Sequence, residues 1–490
     1  MNDFKGLALR GGVVKVGAKA ADFLLKMGSL MVLARLLEPT DFGIVGMVTA
    51  ITGVLSLFKE FGLSVATIQR ATITDEQTST LFWINIVVGA ILGIASLAIA
   101  PLVAAFYHEP QLSLVMIVLG SGFVFNAAGV QHSALLQRQM RFTALAVIEV
   151  LSLLISSAIS IAMATRGYGY WALVAWSVTL PLASTLLTVF QSGWIPGRPR
   201  LNTGMRSMMR FGGIVTLNGL VVYVAYNLDK ILLGRFWGAE VVGIYGRAYQ
   251  LVTLPTDYLN GATGSVAIPV LSRLQDDPER LRNYFLKGYS LVLALTIPIT
   301  VACALFANEL ILVIFGPKWN DAIPIFRLLA PTILVFALIN PTGWLLVALG
   351  MVGRSLKIAL AIAPLVITGC VIGLPYGAKG VAFGYSAALM LWVVPHLLWC
   401  FHGTVVSFRD VLLVASRPFI SGIVGGSCAF GVLFFVGPSV SALATLLLGG
   451  TVLIAVYVWM LLFVMGQKAL YLDLLLSLRS RSAEKDMISP

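Results

Sequence analysis

Long apolar runs recur along nearly the whole of this 490-residue chain, and they limit its fold more than any other feature. Several exceed 18 residues, so each could cross the hydrocarbon core of a bilayer as a helix of roughly 20 residues. The runs are continuous rather than alternating, which favours helices over the strands of a barrel. Only 11% of the residues are charged, whereas a soluble domain has about 25%. The sequence therefore predicts an all-α polytopic membrane protein.

The apolar runs divide into fourteen predicted spans. These lie near residues 13–36, 42–63, 80–106, 111–136, 142–164, 169–190, 208–233, 242–266, 284–307, 322–349, 355–374, 380–400, 411–436 and 441–465. Lys and Arg are concentrated in alternate connecting segments, and the positive-inside rule then places both termini in the cytoplasm. The same asymmetry accounts for much of the net charge of +12, so no nucleic-acid partner is expected. Charges interrupt the first span, which argues against a cleavable signal peptide.

A short pattern occurs twice in the chain, as LARLLEPTDFGIVG at residues 33–46 and as LGRFWGAEVVGIYG at residues 233–246. A segment rich in Pro, Gly and Arg, residues 191–204, lies between the two copies and resembles a linker. We therefore predict two six-helix lobes related by a pseudo-two-fold axis along the membrane normal, an arrangement common in transporters. The predicted domains are residues 1–195, residues 196–405, and residues 406–490 with two additional helices and a cytoplasmic tail. The glycines of the pattern indicate close helix packing in a hairpin rather than chemistry.

The first span carries an unusual row of charges. Lys15, Lys19, Asp22 and Lys26 follow one another at i, i+4, i+7 and i+11, which places them on one face of a helix. Such a face is too costly to expose to lipid, so we expect it to line a water-filled cavity or to contact other protein. Two interpretations stay open at this point: a binding surface, or a buried Lys–Asp network with a structural role.

Other charges within the spans extend the candidate site. The candidate substrate-binding cations are Lys19, Lys26, Lys59, Arg247 and Arg327. The candidate ion-coupling or gating carboxylates are Asp22, Glu149, Asp229 and Asp257. Because cations outnumber carboxylates in the spans, a cavity that they line suits an anionic substrate, above all a phosphate. Cysteines and histidines are scattered and no phosphate-binding loop occurs, so we expect no catalytic residues, metal or cofactor.

Several motifs together resemble the polysaccharide transporter family, in particular its colanic-acid and lipopolysaccharide exporters. They are LARLLEPTDFGIVGMV at residues 33–48, FKEFGLSVATIQR at 58–70, GYGYWALV at 167–174, NLDKILLGRFWGAEVVGIYGRAY at 227–249 and FGPKW at 315–319. The resemblance implies the fold of the multidrug/oligosaccharidyl-lipid/polysaccharide flippase superfamily, with alternating access. The implied activity moves an undecaprenyl-pyrophosphate-linked oligosaccharide, a repeat unit of exopolysaccharide or lipopolysaccharide, from the cytoplasmic to the periplasmic leaflet of the bacterial inner membrane.

The resemblance has further implications for residues and partners. A related lipid II flippase has basic residues on its first helix, which Lys19 and Lys26 match in kind, and it has two extra C-terminal helices like spans 13 and 14. The implied partners are the lipid-linked oligosaccharide, membrane lipids, and the polysaccharide polymerase and chain-length machinery.

Two alternative functions are weighed against a flippase. A drug or organic-cation antiporter on the same fold would favour an acidic cavity, and the excess of cations in the spans argues against it. A membrane glycosyltransferase or polymerase would need a large outer loop with paired acids. The connecting segments here are too short for such a loop, so we expect a transporter and not an enzyme.

Overall fold

The computed structural model describes residues 2–58, 67, 73–199, 206–436, 440–469 and 471. Helices dominate these residues, and no β-strand occurs among them. The all-helical class predicted from the apolar runs is confirmed, because continuous hydrophobicity leaves the backbone only intrahelical partners in lipid.

Within the described residues, the first half of the chain contains six helices. They are α1 (Asn2–Leu36), α2 (Pro39–Ser56), α3 (Asp75–Tyr107), α4 (Gln111–Arg138), α5 (Phe142–Thr165) and α6 (Trp171–Ser192). Local sequence signals explain where two of these helices begin. Pro39 occupies the first turn of α2, where a missing N–H costs nothing. Thr74 caps α3 and accepts a hydrogen bond from the Gln77 N–H.

The second half begins with a long helical segment that contains one break. Its helices are α7 (Arg206–Arg273), α8 (Pro278–Leu305), α9 (Ala307–Ile314), α10 (Ala322–Leu329), α11 (Pro331–Ala348), α12 (Val352–Gly373), α13 (Gly377–Phe401), α14 (Phe408–Val436) and α15 (Ala442–Trp459). In α7 the backbone leaves helical geometry at Gly238, where φ is +84°. This conformation favours glycine, since other residues meet steric clash there.

Ten helical segments within the described residues are long and apolar enough to cross a membrane. One of them, Gly353–Phe401, is 49 residues long and contains both α12 and α13. Neither α1 nor α7 is among the ten. The chain is therefore a multi-pass membrane protein.

Contacts between Cα atoms divide the chain into two compact units. The first unit comprises Met1–Arg247, Ile314–Trp319 and Ala359–Val381. The second comprises Ala248–Val313, Asn320–Ile358 and Ala382–Pro490. The lobe boundaries at residues 195 and 405 stay predictions from the sequence.

Small residues allow close helix packing in the first unit. A Cβ on Gly89 of α3 would lie 2.6 Å from the Ala127 side chain of α4. Helix α1 packs against α5, and the Ser29 hydroxyl donates to the Ser157 hydroxyl across 2.8 Å. Without a hydrophobic force between helices in lipid, such close contacts and polar bonds hold the bundle together.

The two copies of the repeated pattern contact each other within the first unit. A Cβ on Gly43 would lie 1.6 Å from the carbonyl oxygen of Ala239. A Cβ on Gly243 would lie 1.8 Å from the carbonyl oxygen of Pro39. Gly43 and Gly243 are therefore needed because backbone approaches backbone, whereas nothing lies within 4 Å of a Cβ on Gly246. Each copy also lies at a chain turn, after α1 in one case and at Gly238 in the other.

Helices α14 and α15 pack on α8 in the second unit. A Cβ on Gly422 would lie 2.5 Å from Ile297, and one on Gly449 would lie 2.4 Å from the Phe306 ring. The Tyr457 hydroxyl donates to the carbonyl oxygen of Ala294 across 2.8 Å. These contacts make the two C-terminal helices an integral part of the second unit.

Candidate functional site

A cavity of about 620 Å³ lies inside the first unit. Helices α1, α4, α5 and α6 form its walls. The polar and charged residues that line it are Lys19, Asp22, Lys26, Asn126, Ser133, Gln137, Glu149, Ser152, Ser184 and Thr188. Its volume falls in the range of about 300–1,000 Å³ typical of small-molecule sites.

The charged groups of the cavity form two ion pairs. Lys19 Nζ lies 2.5 Å from Glu149 Oε1, and the two side chains are 50% and 39% exposed. Lys26 Nζ lies 2.9 Å from Asp22 Oδ2, and the Asp22 side chain is 3% exposed. The first pair joins α1 to α5, whereas the second lies within α1. Both lysine ammonium groups are thus close to a carboxylate in this conformation.

The helical period of α1 explains why its charges meet at the cavity. Lys19, Asp22 and Lys26 lie three and four residues apart, so they share one face, and all three line the cavity. Their place on the cavity wall agrees with the expectation that this face lines a cavity. The side chain of Lys15 lies outside the described part of the chain.

Uncharged polar side chains also line the cavity, next to apolar residues such as Phe142 and Leu180, and the sequence analysis missed them. Ser133 and Gln137 lie one turn apart on α4, and Ser184 and Thr188 lie one turn apart on α6. Polar residues at i and i+4 in an apolar span were the available signal. Hydroxyl and amide groups both donate and accept hydrogen bonds, which matches the hydroxyls of sugars.

Asp229 also lies in the first unit, but it does not line this cavity. It belongs to a separate cluster of hydrogen-bonded side chains. It is 1% exposed. Its Oδ2 accepts a hydrogen bond from the Tyr245 hydroxyl, and its Oδ1 accepts one from the Lys230 backbone N–H, both at 2.7 Å. The Lys230 ammonium donates to Asn227 Oδ1 at 2.9 Å. Asp229 is therefore a buried carboxylate with direct hydrogen-bond donors.

Arg247 also lies in the first unit, away from the cavity wall. Its guanidinium carbon lies 4.8 Å from the centroid of the Phe42 ring, a cation–π arrangement. Within the described residues, its Nε is buried without a hydrogen-bond partner.

The remaining predicted residues are dispersed. Asp257 and Arg327 are exposed residues of the second unit. A cavity of about 10 Å³ in that unit is lined by uncharged residues that include Thr256, Asn260 and Trp344. Lys59 lies outside the described residues. The structure thus brings four of the nine predicted residues, namely Lys19, Asp22, Lys26 and Glu149, to one cavity.

Known proteins resemble the chain in sequence and in fold. The lipopolysaccharide biosynthesis protein WzxC of Escherichia coli (strain K12) is 28% identical over 83% of this chain and 82% of its own. The teichuronic acid biosynthesis protein TuaB of Bacillus subtilis (strain 168) is 32% identical over 59% of this chain and 61% of its own. The solved structure of the lipid II flippase MurJ, in an inward closed conformation, superposes with a TM-score of 0.75 at 13% identity, covering 94% of this chain and 100% of that one.

The superposition shows that the chain shares its fold with MurJ. The sequence model of the family described as polysaccharide biosynthesis protein matches residues 32–324, more than half of the chain. The chain belongs to this polysaccharide biosynthesis protein family.

Proposed function

We propose that the protein is a flippase for an undecaprenyl-pyrophosphate-linked oligosaccharide, which it moves from the cytoplasmic to the periplasmic leaflet by alternating access. The cavity of the first unit carries this proposal, because it combines Lys19 and Lys26 with several hydroxyl and amide groups inside a membrane-spanning bundle. The names of WzxC and TuaB connect those relatives to lipopolysaccharide and teichuronic acid, and MurJ is named as a flippase. A protein of this fold that carries a lipid-linked glycan across the membrane is consistent with the names of all three proteins.

The chemistry of the cavity fits the parts of such a substrate. The lysine ammonium groups attract the pyrophosphate, while Asn126, Gln137 and Ser184 offer hydrogen bonds to sugar hydroxyls. The polyprenyl tail stays in the bilayer, where it is soluble. Arg247 stays in the proposed set of cations because its buried Nε has no hydrogen-bond partner among the described residues, although it does not line this cavity. Lys59 and Arg327 complete the proposed set of cations; Arg327 does not line this cavity, so it is expected to contribute least.

We propose fourteen transmembrane helices in two six-helix lobes plus two. Gly353–Phe401 provides two crossings, since α12 and α13 are separated by a 3₁₀ turn at Leu374–Tyr376. Counting α7 as two spans around Gly238 and adding α1 then brings the ten segments to fourteen. The contacts of Gly43 with Ala239 and of Gly243 with Pro39 support the pseudo-two-fold relation, because the two pairs exchange equivalent positions of the repeat.

The energy for transport comes, in this proposal, from an ion or voltage gradient. Asp22, Glu149, Asp229 and Asp257 are the proposed ion-coupling or gating carboxylates, since carboxylates within spans are typical of ion and proton pathways. The protein then resides in the bacterial inner membrane with both termini in the cytoplasm. Its partners are membrane lipids and the polymerase and chain-length machinery that receive the flipped unit, and the protein itself transports rather than catalyses.

The test is a gene deletion in the host with complementation by the wild-type protein at native membrane level. Surface polysaccharide and lipid-linked precursor are measured in the same cells, and the leaflet of the precursor is determined by its access to a membrane-impermeant periplasmic glycosidase. We expect the deletion to lose surface polysaccharide and to hold precursor in the cytoplasmic leaflet.

If the deletion strain has normal surface polysaccharide and its precursor is accessible from the periplasm, the proposed flippase activity is refuted. The antiporter alternative is tested in the same strains. It requires that the deletion sensitise cells to organic cations while leaving the precursor distribution unchanged.

A further inference from the structure

The two lysines of the cavity are held in different ways. Lys26 pairs with Asp22 on its own helix, and the Asp22 side chain is only 3% exposed, so its carboxylate is closed to a ligand. Lys19 pairs with Glu149 of another helix, 130 residues away in sequence. Both members of this second pair are open to the cavity, at 50% and 39% exposure. Only the second pair is therefore accessible to a ligand on both sides.

The ion pair between Lys19 and Glu149 is also weak enough for a ligand to replace the carboxylate. Water screens a half-exposed ion pair, so its net contribution is small. A pyrophosphate carries more negative charge than a carboxylate, so it attracts an ammonium more strongly at the same distance. A pyrophosphate that enters the cavity can therefore take the place of the Glu149 carboxylate at Lys19.

We propose that Glu149 is a positioning residue that occupies Lys19 in the absence of substrate and competes with the substrate pyrophosphate for it. This inference rests on the proposed flippase function and deepens it. Glu149 holds the Lys19 ammonium at the cavity wall before binding. After transport, the return of the carboxylate to Lys19 favours release of the pyrophosphate. A transporter benefits from such competition, because a site that binds too tightly slows release.

The contact between α1 and α5 does not depend on Glu149 alone. Ser29 and Ser157 are buried and hydrogen-bonded across the same helix pair. A neutral residue at position 149 is therefore expected to leave the packing of the two helices intact, so that binding can be measured.

The test uses the full-length protein in nanodiscs of phosphatidylcholine, titrated with inorganic pyrophosphate by calorimetry. We expect Glu149→Gln to bind about fivefold more tightly than wild type, because the competing charge is gone. In the Lys19→Gln background, Glu149→Gln should have no such effect. Glu109→Gln removes an acid outside the cavity and should bind like wild type. Unchanged or weaker binding by Glu149→Gln, or a gain that persists without Lys19, would overturn the proposal.

A second readout separates competition from a structural role. In vesicles that transport a lipid-linked pyrophosphate oligosaccharide, Glu149→Gln should lower KM and kcat together, and Glu149→Asp should restore both towards wild type. A merely structural defect would lower the active fraction without lowering KM. If the wild type transports and KM is unaffected by Glu149→Gln, this inference fails alone. If the wild type neither transports nor binds pyrophosphate, the proposed function fails as well.

The phosphate that reaches Lys19 has two sources in a membrane, the lipid-linked sugar and phospholipid headgroups. The calorimetry is therefore repeated in nanodiscs that contain phosphatidylglycerol. A fivefold gain that survives there supports the pyrophosphate. Loss of the gain would assign Lys19 to headgroup phosphate and overturn the proposal.

Discussion

Two cavities among the described residues, one in each compact unit, differ in size and in chemistry. The one in the first unit has a volume of about 620 Å³ and is lined by two lysines and two carboxylates among other residues, whereas the one in the second unit has about 10 Å³ and is lined by uncharged side chains. Space for a ligand and the groups to bind it thus occur together in the first unit. In the second unit, residues of α8, α14 and α15 fill the interior by close packing. The difference indicates that substitutions should affect transport in one unit and stability in the other.

The strongest test of this contrast removes the lysines of the cavity. Lys19→Ala combined with Lys26→Ala should reduce polysaccharide export at least tenfold, since a hydrogen bond to a charged group contributes about 1.5–3 kcal/mol. Lys287→Ala, an exposed lysine of the second unit, serves as the control. Export is measured at matched membrane levels. Equal export from the double variant and its control would abolish the functional distinction between the units.

The packing of the second unit can be disturbed without touching the cavity. Gly449→Val should destabilise the protein by about 1–3 kcal/mol, because its Cβ would lie 2.4 Å from the Phe306 ring. Gly450→Val is the matched control, since no atom lies within 4 Å of a Cβ at the adjacent residue. Thermal unfolding in detergent measures the effect. We expect export per folded molecule to stay normal, and a selective loss of export would assign α15 a direct part in transport.

A smaller effect is expected from the polar contact next to the water-sized cavity. Asn260 Oδ1 accepts a hydrogen bond from Trp344 Nε1 at 3.1 Å. Asn260→Ala should therefore lower the free energy of unfolding by about 1 kcal/mol, with export unchanged. The exposed Asn308 provides the control substitution to Ala. An export defect that exceeds the loss of stability would show that this cavity contributes to the transport path.

The smallest effect is expected at Arg327, an exposed cation of the second unit. Because solvent screens an exposed charge, Arg327→Gln should change export by about twofold or less. Export by this variant is compared with export by Arg327→Lys, which keeps the charge. A loss as large as that of the lysine double variant would place a second binding surface outside the cavity.

Much of the fold was predictable from local pattern. Continuous apolar runs predicted the helices, and their breaks predicted most boundaries to within a few residues, as in α5 at Phe142–Thr165 against the predicted 142–164. Helix α1 begins at Asn2, before the predicted span at residues 13–36, since a helix can extend beyond the apolar segment that crosses the bilayer. Helix formation depends on neighbours in sequence, so local pattern is sufficient for it.

The sequence by itself determined that the chain spans a membrane as helices and that Lys19, Asp22 and Lys26 share one face, because the period of a helix is fixed. Only the tertiary structure decided which groups meet that face. Glu149 reaches Lys19 from 130 residues away, and the hydroxyl and amide groups of α4 and α6 complete the cavity. The helical period fixes the direction of a side chain relative to the axis of its helix. Which residue that side chain contacts depends on how the helices pack.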